Sequence, residues 1–161
     1  MKKLTRIIFL LFTIPFLFCG CDQDDDINEI FDSGIWYFVN YYKYVDWDSN
    51  NDRSARPVYT KPDDLKVISQ FSIKFETDGT FSGTLHGGGS YSGRWEANPK
   101  GRTFAVIGRI KTNGDLSGKN GEYIKTLENA MFYNGDSQNM LRLAPDSRTN
   151  CIQFSHLKPF K

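Results

Sequence analysis

Oxygen side chains recur at every second place in Asp46-Trp47-Asp48-Ser49-Asn50-Asn51-Asp52, the spacing by which a calcium loop folds its ligands around one hard cation. Asp46, Asp48, Asn50 and Asp52 are the candidate ligands. An EF-hand would place Gly where Asn51 stands and a bidentate Glu where Pro57 stands, and neither is present. The competing expectation is a plain polar loop, because Asp and Asn are ordinary loop formers. His86 and His156 lie far apart without cysteine partners, outside any zinc-ligand spacing. His86 precedes Gly87-Gly88-Gly89, but a phosphate cradle needs a helix after the glycines, and a strand from Tyr91 is expected instead. Ser90 and Ser92 sit among hairpin glycines, with no Gly-x-Ser-x-Gly elbow before a helix. Glu76 and Glu96 make a glycosidase pair only if the fold brings them together. The expectation is a non-enzyme without cofactor or resident metal. A pocket holding His86 beside a carboxylate and a serine would restore a hydrolase reading.

Aromatic side chains are the stronger signal. Trp36, Tyr37, Phe38, Tyr41, Tyr42, Tyr44 and Trp47 exceed what one face of a strand can hide. Residues up to Tyr42 are expected in a two-sided core strand, whereas Tyr44 and Trp47 enter the loop and are the candidate binding surface. Rings held at a surface serve as stacking platforms for a glycan or as anchors for an envelope protein.

The elements that must position these residues follow from periodicity. Ile35 to Val45 has no helical spacing and reads as a long central strand, followed by an exposed loop over Asp46–Pro62. Val67 to Phe75 alternates as a half-buried antiparallel strand, and Thr77-Asp78-Gly79-Thr80 turns it into Thr80–Leu85. Tyr91–Trp95 and Thr103–Ile107 continue the meander. From Gly121 to Tyr133, apolar residues recur at three- and four-residue spacing, which predicts one amphipathic helix stopped by Asn134-Gly135. Met140–Leu143 and Cys151–Phe154 close the sheet, with Cys151 inward.

The N-terminus supplies an address. Lys2, Lys3 and Arg6 precede an apolar run from Ile7 to Phe18 that contains Pro15 and is shorter than the roughly 20 residues of a membrane span. Phe18-Cys19-Gly20-Cys21 resembles the relaxed lipobox of bacteroidete-type lipoproteins, so residues 1–20 are expected to leave as a signal peptide and Cys21 to carry lipid. Asp22-Gln23-Asp24-Asp25-Asp26 resembles the acidic export signal that sends such lipoproteins to the outer face of the outer membrane; the periplasmic face is the alternative. Processing removes three of 20 basic residues and leaves 17 against 19 acidic ones, a net charge of −2. No basic face argues for nucleic acid. Cys151 is then the one remaining thiol, without a partner for an internal bridge.

The elements also carry a family resemblance. Trp36, the run Ile73-Lys74-Phe75-Glu76-Thr77-Asp78-Gly79-Thr80-Phe81-Ser82-Gly83, the run Gly88-Gly89-Ser90-Tyr91-Ser92-Gly93-Arg94-Trp95, Glu122-Tyr123 through Leu127, Tyr133, Leu141-Arg142-Leu143 and Phe154 are similar to the META domain, which includes HslJ-type lipoproteins. The stretch Leu85–Ser90 departs from it by lacking the Gly-Cys-Asn step. The resemblance implies a fold and no catalytic residues.

These readings converge on a mainly β chain: a META-type, barrel-like antiparallel meander with one short amphipathic helix over residues 34–161, behind a lipidated acidic tether at 21–33. The expected role is that of a non-enzymatic, outward-facing outer-membrane lipoprotein that touches the membrane through its lipid and binds a surface glycan or an envelope protein. A lipocalin-like small-ligand carrier is the first alternative and an unseen hydrolase the second.

Overall fold

The computed structural model describes residues 27–49 and 52–159. Nine antiparallel strands form one sheet: β1 (Ile35–Lys43), β2 (Arg56–Pro57), β3 (Ser72–Phe75), β4 (Thr80–Thr84), β5 (Ser90–Asn98), β6 (Thr103–Asn113), β7 (Phe132–Gly135), β8 (Leu141–Ala144) and β9 (Asn150–Ser155). Because β9 also pairs with β1, from Tyr37↔Ser155 to Lys43↔Asn150, the sheet closes on itself. Eight strands make the ring, and β2 adds to the free half of the β1 edge at Tyr42↔Pro57. An eight-stranded ring has an interior that side chains just fill.

The expected mainly β, barrel-like architecture is present. Its helices differ from expectation. Three short ones occur among the described residues: α1 (Ile27–Phe31), α2 (Pro62–Ile68) and α3 (Lys119–Glu128). Val67 and Ile68 belong to α2 rather than to a strand, because Pro62 opens a helical turn and Asp63 and Asp64 complement its N-terminal dipole. From Phe71 the expected alternation holds, with Phe71, Ile73 and Phe75 fully buried. α3 ends at Glu128 rather than Tyr133, since the Met131 N–H donates to Ala144 O at 2.8 Å and Phe132–Gly135 joins the sheet as β7. A sheet partner therefore overrides the helical spacing of Ala130 and Met131. Within the stretch 21–33 expected as a tether, the described part contains α1, which buries Ile30 and Phe31 against the barrel.

Two helices deliver an aromatic wedge to each end of the ring. Phe31 of α1 packs with Phe75, Trp95, Phe104 and Tyr133 at centroid distances of 4.9, 4.6, 5.7 and 5.2 Å. Tyr123 of α3 packs with Phe38, Phe71 and Tyr91 at 5.5, 4.8 and 5.7 Å. Between them the sheet must coil tightly, and it does so at Gly83 and Gly93. A Cβ at either would overlap the ring of its cross-strand partner, Tyr91 or Phe81. These glycines let an aromatic ring lie directly on the backbone.

Candidate functional site

The end of β1 farthest from α1 forms a cleft. A register shift between Phe38 and Asn40 lets the strand bury Phe38 inside the ring and then turn Tyr41 toward α3. Asn40, 5% exposed, holds the loop that follows: its Nδ2 donates to Tyr59 O at 2.7 Å, and its Oδ1 accepts from Tyr59 N at 3.0 Å. A single amide side chain thus satisfies both backbone groups of a residue 19 positions away. Tyr59 then donates its hydroxyl to Glu122 Oε2 at 2.6 Å and packs edge-on against Tyr41 at 5.6 Å, which ties the loop to α3.

Tyr41, Tyr42, Lys43, Glu122, Asn129 and Asn150 line the cleft, which encloses about 350 Å³, with Val58, Pro145 and Cys151 as its apolar walls. The Tyr41 side chain is 8% exposed, and its hydroxyl is closed off from solvent with the Thr126 side chain beside it. Burial pushes the phenols of Tyr41, Tyr42 and Tyr59 above their ordinary range, so each remains a neutral hydroxyl at physiological pH. Burial likewise raises the Cys151 thiol to about 12, which leaves it protonated and unreactive, in keeping with the inward position expected for it.

Tyr44 and Trp47 part company. Tyr44 is 71% exposed and adopts a left-handed φ of 59°, with its carbonyl accepting from Ser54 Oγ at 2.7 Å. Trp47 is 7% exposed and forms a satellite core with Val45, Ala144 and Cys151, so it anchors the loop instead of presenting a surface. The carboxylate of Asp52 accepts from Asp46 N at 2.9 Å, Ser54 Oγ at 2.7 Å, Ser54 N at 3.0 Å and Ala55 N at 3.1 Å. The Ser54 hydroxyl, with the backbone donors, holds its carboxyl below the usual range. These bonds make Asp52 the hub of an exposed turn. Asn50 lies outside the described residues, and among those described no group of three or more His, Cys, Asp or Glu is placed to hold a metal. Cys21, Asp22, Gln23, Asp24, Asp25 and Asp26 also lie outside the described residues.

The histidines are separated as expected, but each has a distinct setting. His86 lines a second pocket with Asp115, Ser117 and Lys119. Ser117 Oγ donates to Asp115 Oδ2 at 2.6 Å, and no hydrogen bond joins the His86 ring to either residue. Asn120 binds the His86 backbone on both sides, at 3.2 Å each. His156 stacks on Trp36 at 3.8 Å, and its ring nitrogens meet Ile35 O at 2.9 Å and Ser33 Oγ at 3.0 Å. This clasp joins the end of β9 to the start of β1. Glu76 is ion-paired to Lys74 at 2.8 Å, and Glu96 is exposed on β5.

The Tyr41 cleft draws its lining from segments far apart in sequence, so no local pattern announces the whole of it. One signal was available: Asn40 is the polar interruption in an otherwise aromatic and aliphatic strand core.

Comparison with known proteins corrects the family resemblance. The model of DUF4847, a domain of unknown function, matches residues 22–156. No META or HslJ-type family model matches. Two of the glycines that suggested META, Gly83 and Gly93, are set by the cross-strand rings of Tyr91 and Phe81 that lie on them, a packing demand that carries no family label. A crystal structure of a DUF4847 family protein from Bacteroides vulgatus superimposes with a TM-score of 0.73 at 35% identity, covering 83% of this chain and 99% of that one. No curated protein matches the chain.

Proposed function

We infer a role for this chain from the premise that it belongs to the DUF4847 family, and propose that it is a lipid-anchored, outward-facing outer-membrane protein that binds without catalysis. The observation that carries the binding role is Tyr44: a large aromatic ring, 71% exposed, held in a left-handed conformation on a loop pinned by Trp47 and Asp52. Such a conformation is unfavourable for a residue with a Cβ and persists where surrounding bonds impose it. Lys43, its neighbour, lines the Tyr41 cleft, so ring and cleft lie at one end of the barrel.

The proposed anchor gives that end a direction. Five residues, Asp22 to Asp26, separate Cys21 from α1, a leash of at most about 20 Å when extended. β1 then runs about 25 Å from Ile35 to Lys43. The α1 end would stay near the membrane while Tyr44 and the cleft face away.

Metabolic labelling with a radioactive fatty acid, combined with protease shaving of intact cells, tests the anchor and the facing. Labelling abolished by Cys21→Ser, with the domain released by shaving, is the expected result. A labelled protein resistant to shaving would place it inside the envelope. Pull-down with the full chain and with Tyr44→Ala tests the binding role, which is refuted if both capture the same partners in the same yield.

Aromatic rings occupy the space that a lipocalin-like carrier would need, and this weighs against that reading. A hydrolase draws support from His86, Asp115 and Ser117 sharing one pocket. Its nucleophile, however, donates to the carboxylate rather than to the histidine, the opposite of a serine–histidine relay. Turnover of an ester panel that disappears in both His86→Ala and Ser117→Ala would favour it over the binding role.

A further inference from the structure

The outer wall of the barrel over β3 to β6 is built unlike a plain solvent face. Its side chains fall into rows set by the register. Lys74 stands opposite Ser82, Ser82 opposite Ser92 and Ser92 opposite Lys111, so one row crosses four strands with a cation at each end and hydroxyls between. The next row, Ser72, Thr84, Ser90 and Asn113, is again short and polar. Outward positions of a strand favour tall β-branched and aromatic residues, and small ones here leave a depression of about 590 Å³. A second depression of about 460 Å³ shares Ser82, Ser92 and Lys111 with the first, so the two form one continuous trough.

Cations gather on its rim. Between Arg94↔Ile107 and Ser92↔Lys111 the register shifts, so Gly93 alone faces Gly108, Arg109 and Ile110. Gly108 takes a left-handed φ of 79° in this bulge, which adds Arg109 beside Arg94 and Lys111 on the trough. Glu76 is the one acidic residue of the lining, and Lys74 holds it at 2.8 Å. Arg94, Arg109 and Lys111 make no ion pair among the described residues. The net charge of −2 expected after processing therefore hides a local cationic face, which attracts anions.

The arrangement of these groups selects among anions. The row places Lys74 and Lys111 about 14 Å apart along the sheet, with neutral hydroxyls between, a spacing suited to a chain of sparse charge. Tyr91 and Phe81 lie beneath the floor at 3% and 1% exposure, so no ring is offered for the base stacking that single-stranded nucleic acid uses. Guanidinium forks match carboxylates, and serine hydroxyls exchange hydrogen bonds with sugar hydroxyls. We propose that the β3–β6 trough binds an acidic polysaccharide carrying one uronate carboxylate per charged ring. None of its lining residues lines the Tyr41 cleft, so this surface is additional to the Tyr44 end and does not depend on it.

The full chain in a non-ionic detergent is titrated by calorimetry at low salt with oligogalacturonate. Dextran, polyglutamate, dextran sulfate and single-stranded DNA are the neutral, sugar-free, charge-dense and nucleic-acid counterparts. Oligogalacturonate should bind most tightly and weaken as salt is raised. Arg94→Gln combined with Lys111→Gln should lower its affinity about tenfold or more, the weight of a charged hydrogen bond, and Arg94→Lys with Lys111→Arg should restore most of it. Ser92→Phe keeps every charge and fills the floor; it should unfold at the parental temperature, since Ser92 is exposed, and bind at least tenfold more weakly. The proposal is overturned if oligogalacturonate does not bind, if any of the four counterparts binds as tightly, or if the charge-neutralised double variant or a folded Ser92→Phe binds as well as the parent. Tyr44→Ala should leave this binding unchanged, so the two surfaces fail separately.

Discussion

The two ends of the barrel are closed by the same device and differ in what they bury. At the α1 end, Phe31 contributes an apolar ring that stacks on Trp95 at 4.6 Å with an interplanar angle of 29°. At the α3 end, Tyr123 brings a hydroxyl into the core, and that hydroxyl needs a partner. It lies 2.7 Å from Tyr91 Oη, which in turn donates to Ser72 O at 2.8 Å. Since Tyr91 commits its single proton to the carbonyl, Tyr123 donates to Tyr91. Polar burial continues outward through Asn40, Tyr59 and Glu122. One end is a plug that contributes stability. The other is a lattice of buried amide and hydroxyl groups that satisfy one another.

The largest test of that contrast is Phe31→Ala, which should destabilise the fold by about 3–5 kcal/mol in denaturant titration, as for a large aromatic truncated in a core. A small effect would show that α1 is an accessory to the barrel. Asn40→Ala should lower stability by about 2–3 kcal/mol, because it leaves both backbone groups of Tyr59 buried without partners. Hydrogen exchange at Tyr59 should accelerate with it. Tyr123→Phe removes one donor and should cost only about 1 kcal/mol, which separates the polar contribution of α3 from its packing.

Alkaline pH offers a further distinction. The phenols of Tyr41, Tyr59, Tyr91 and Tyr123 and the Cys151 thiol are raised by burial, the thiol to about 12. The stability they represent is present below their unfolded values and is lost as pH rises toward the folded ones. Tm should therefore fall progressively above about pH 9, as the unfolded chain begins to ionise. Tyrosine ionisation, followed by absorbance, should show a late phase that coincides with unfolding. The smallest expected effect is Asp52→Ala, about 1 kcal/mol or less, with faster proteolysis near residue 53 as the Tyr44 loop loosens.

Parts of this architecture were legible in the sequence for clear reasons. Ile73 and Phe75 alternate with polar residues, and Thr77-Asp78-Gly79-Thr80 specifies its turn, which closes with Thr80 N donating to Asp78 Oδ1 at 2.9 Å. Both signals are local, and nothing in the fold opposes them. Cys151 was readable as inward for the same reason. The end of α3 is not legible locally, because Ala130 and Met131 fit a helical period as well as an approach to a strand, and only the Ala144 carbonyl decides between them. The polar neighbours of Trp47 point to a surface position, yet Ala144 and Cys151, remote in sequence, provide the small side chains that cover it.

By itself the chain determined its class: alternating aromatic and β-branched segments with Asp-Gly and Gly-rich turns can bury their apolar faces only as an antiparallel sheet. The closure of that sheet, the choice of Phe31 and Tyr123 as its plugs and the amide bridge from Asn40 to Tyr59 were decided by tertiary structure. Each depends on groups that meet across the ring, and no local period records which ring, amide or carbonyl will stand opposite.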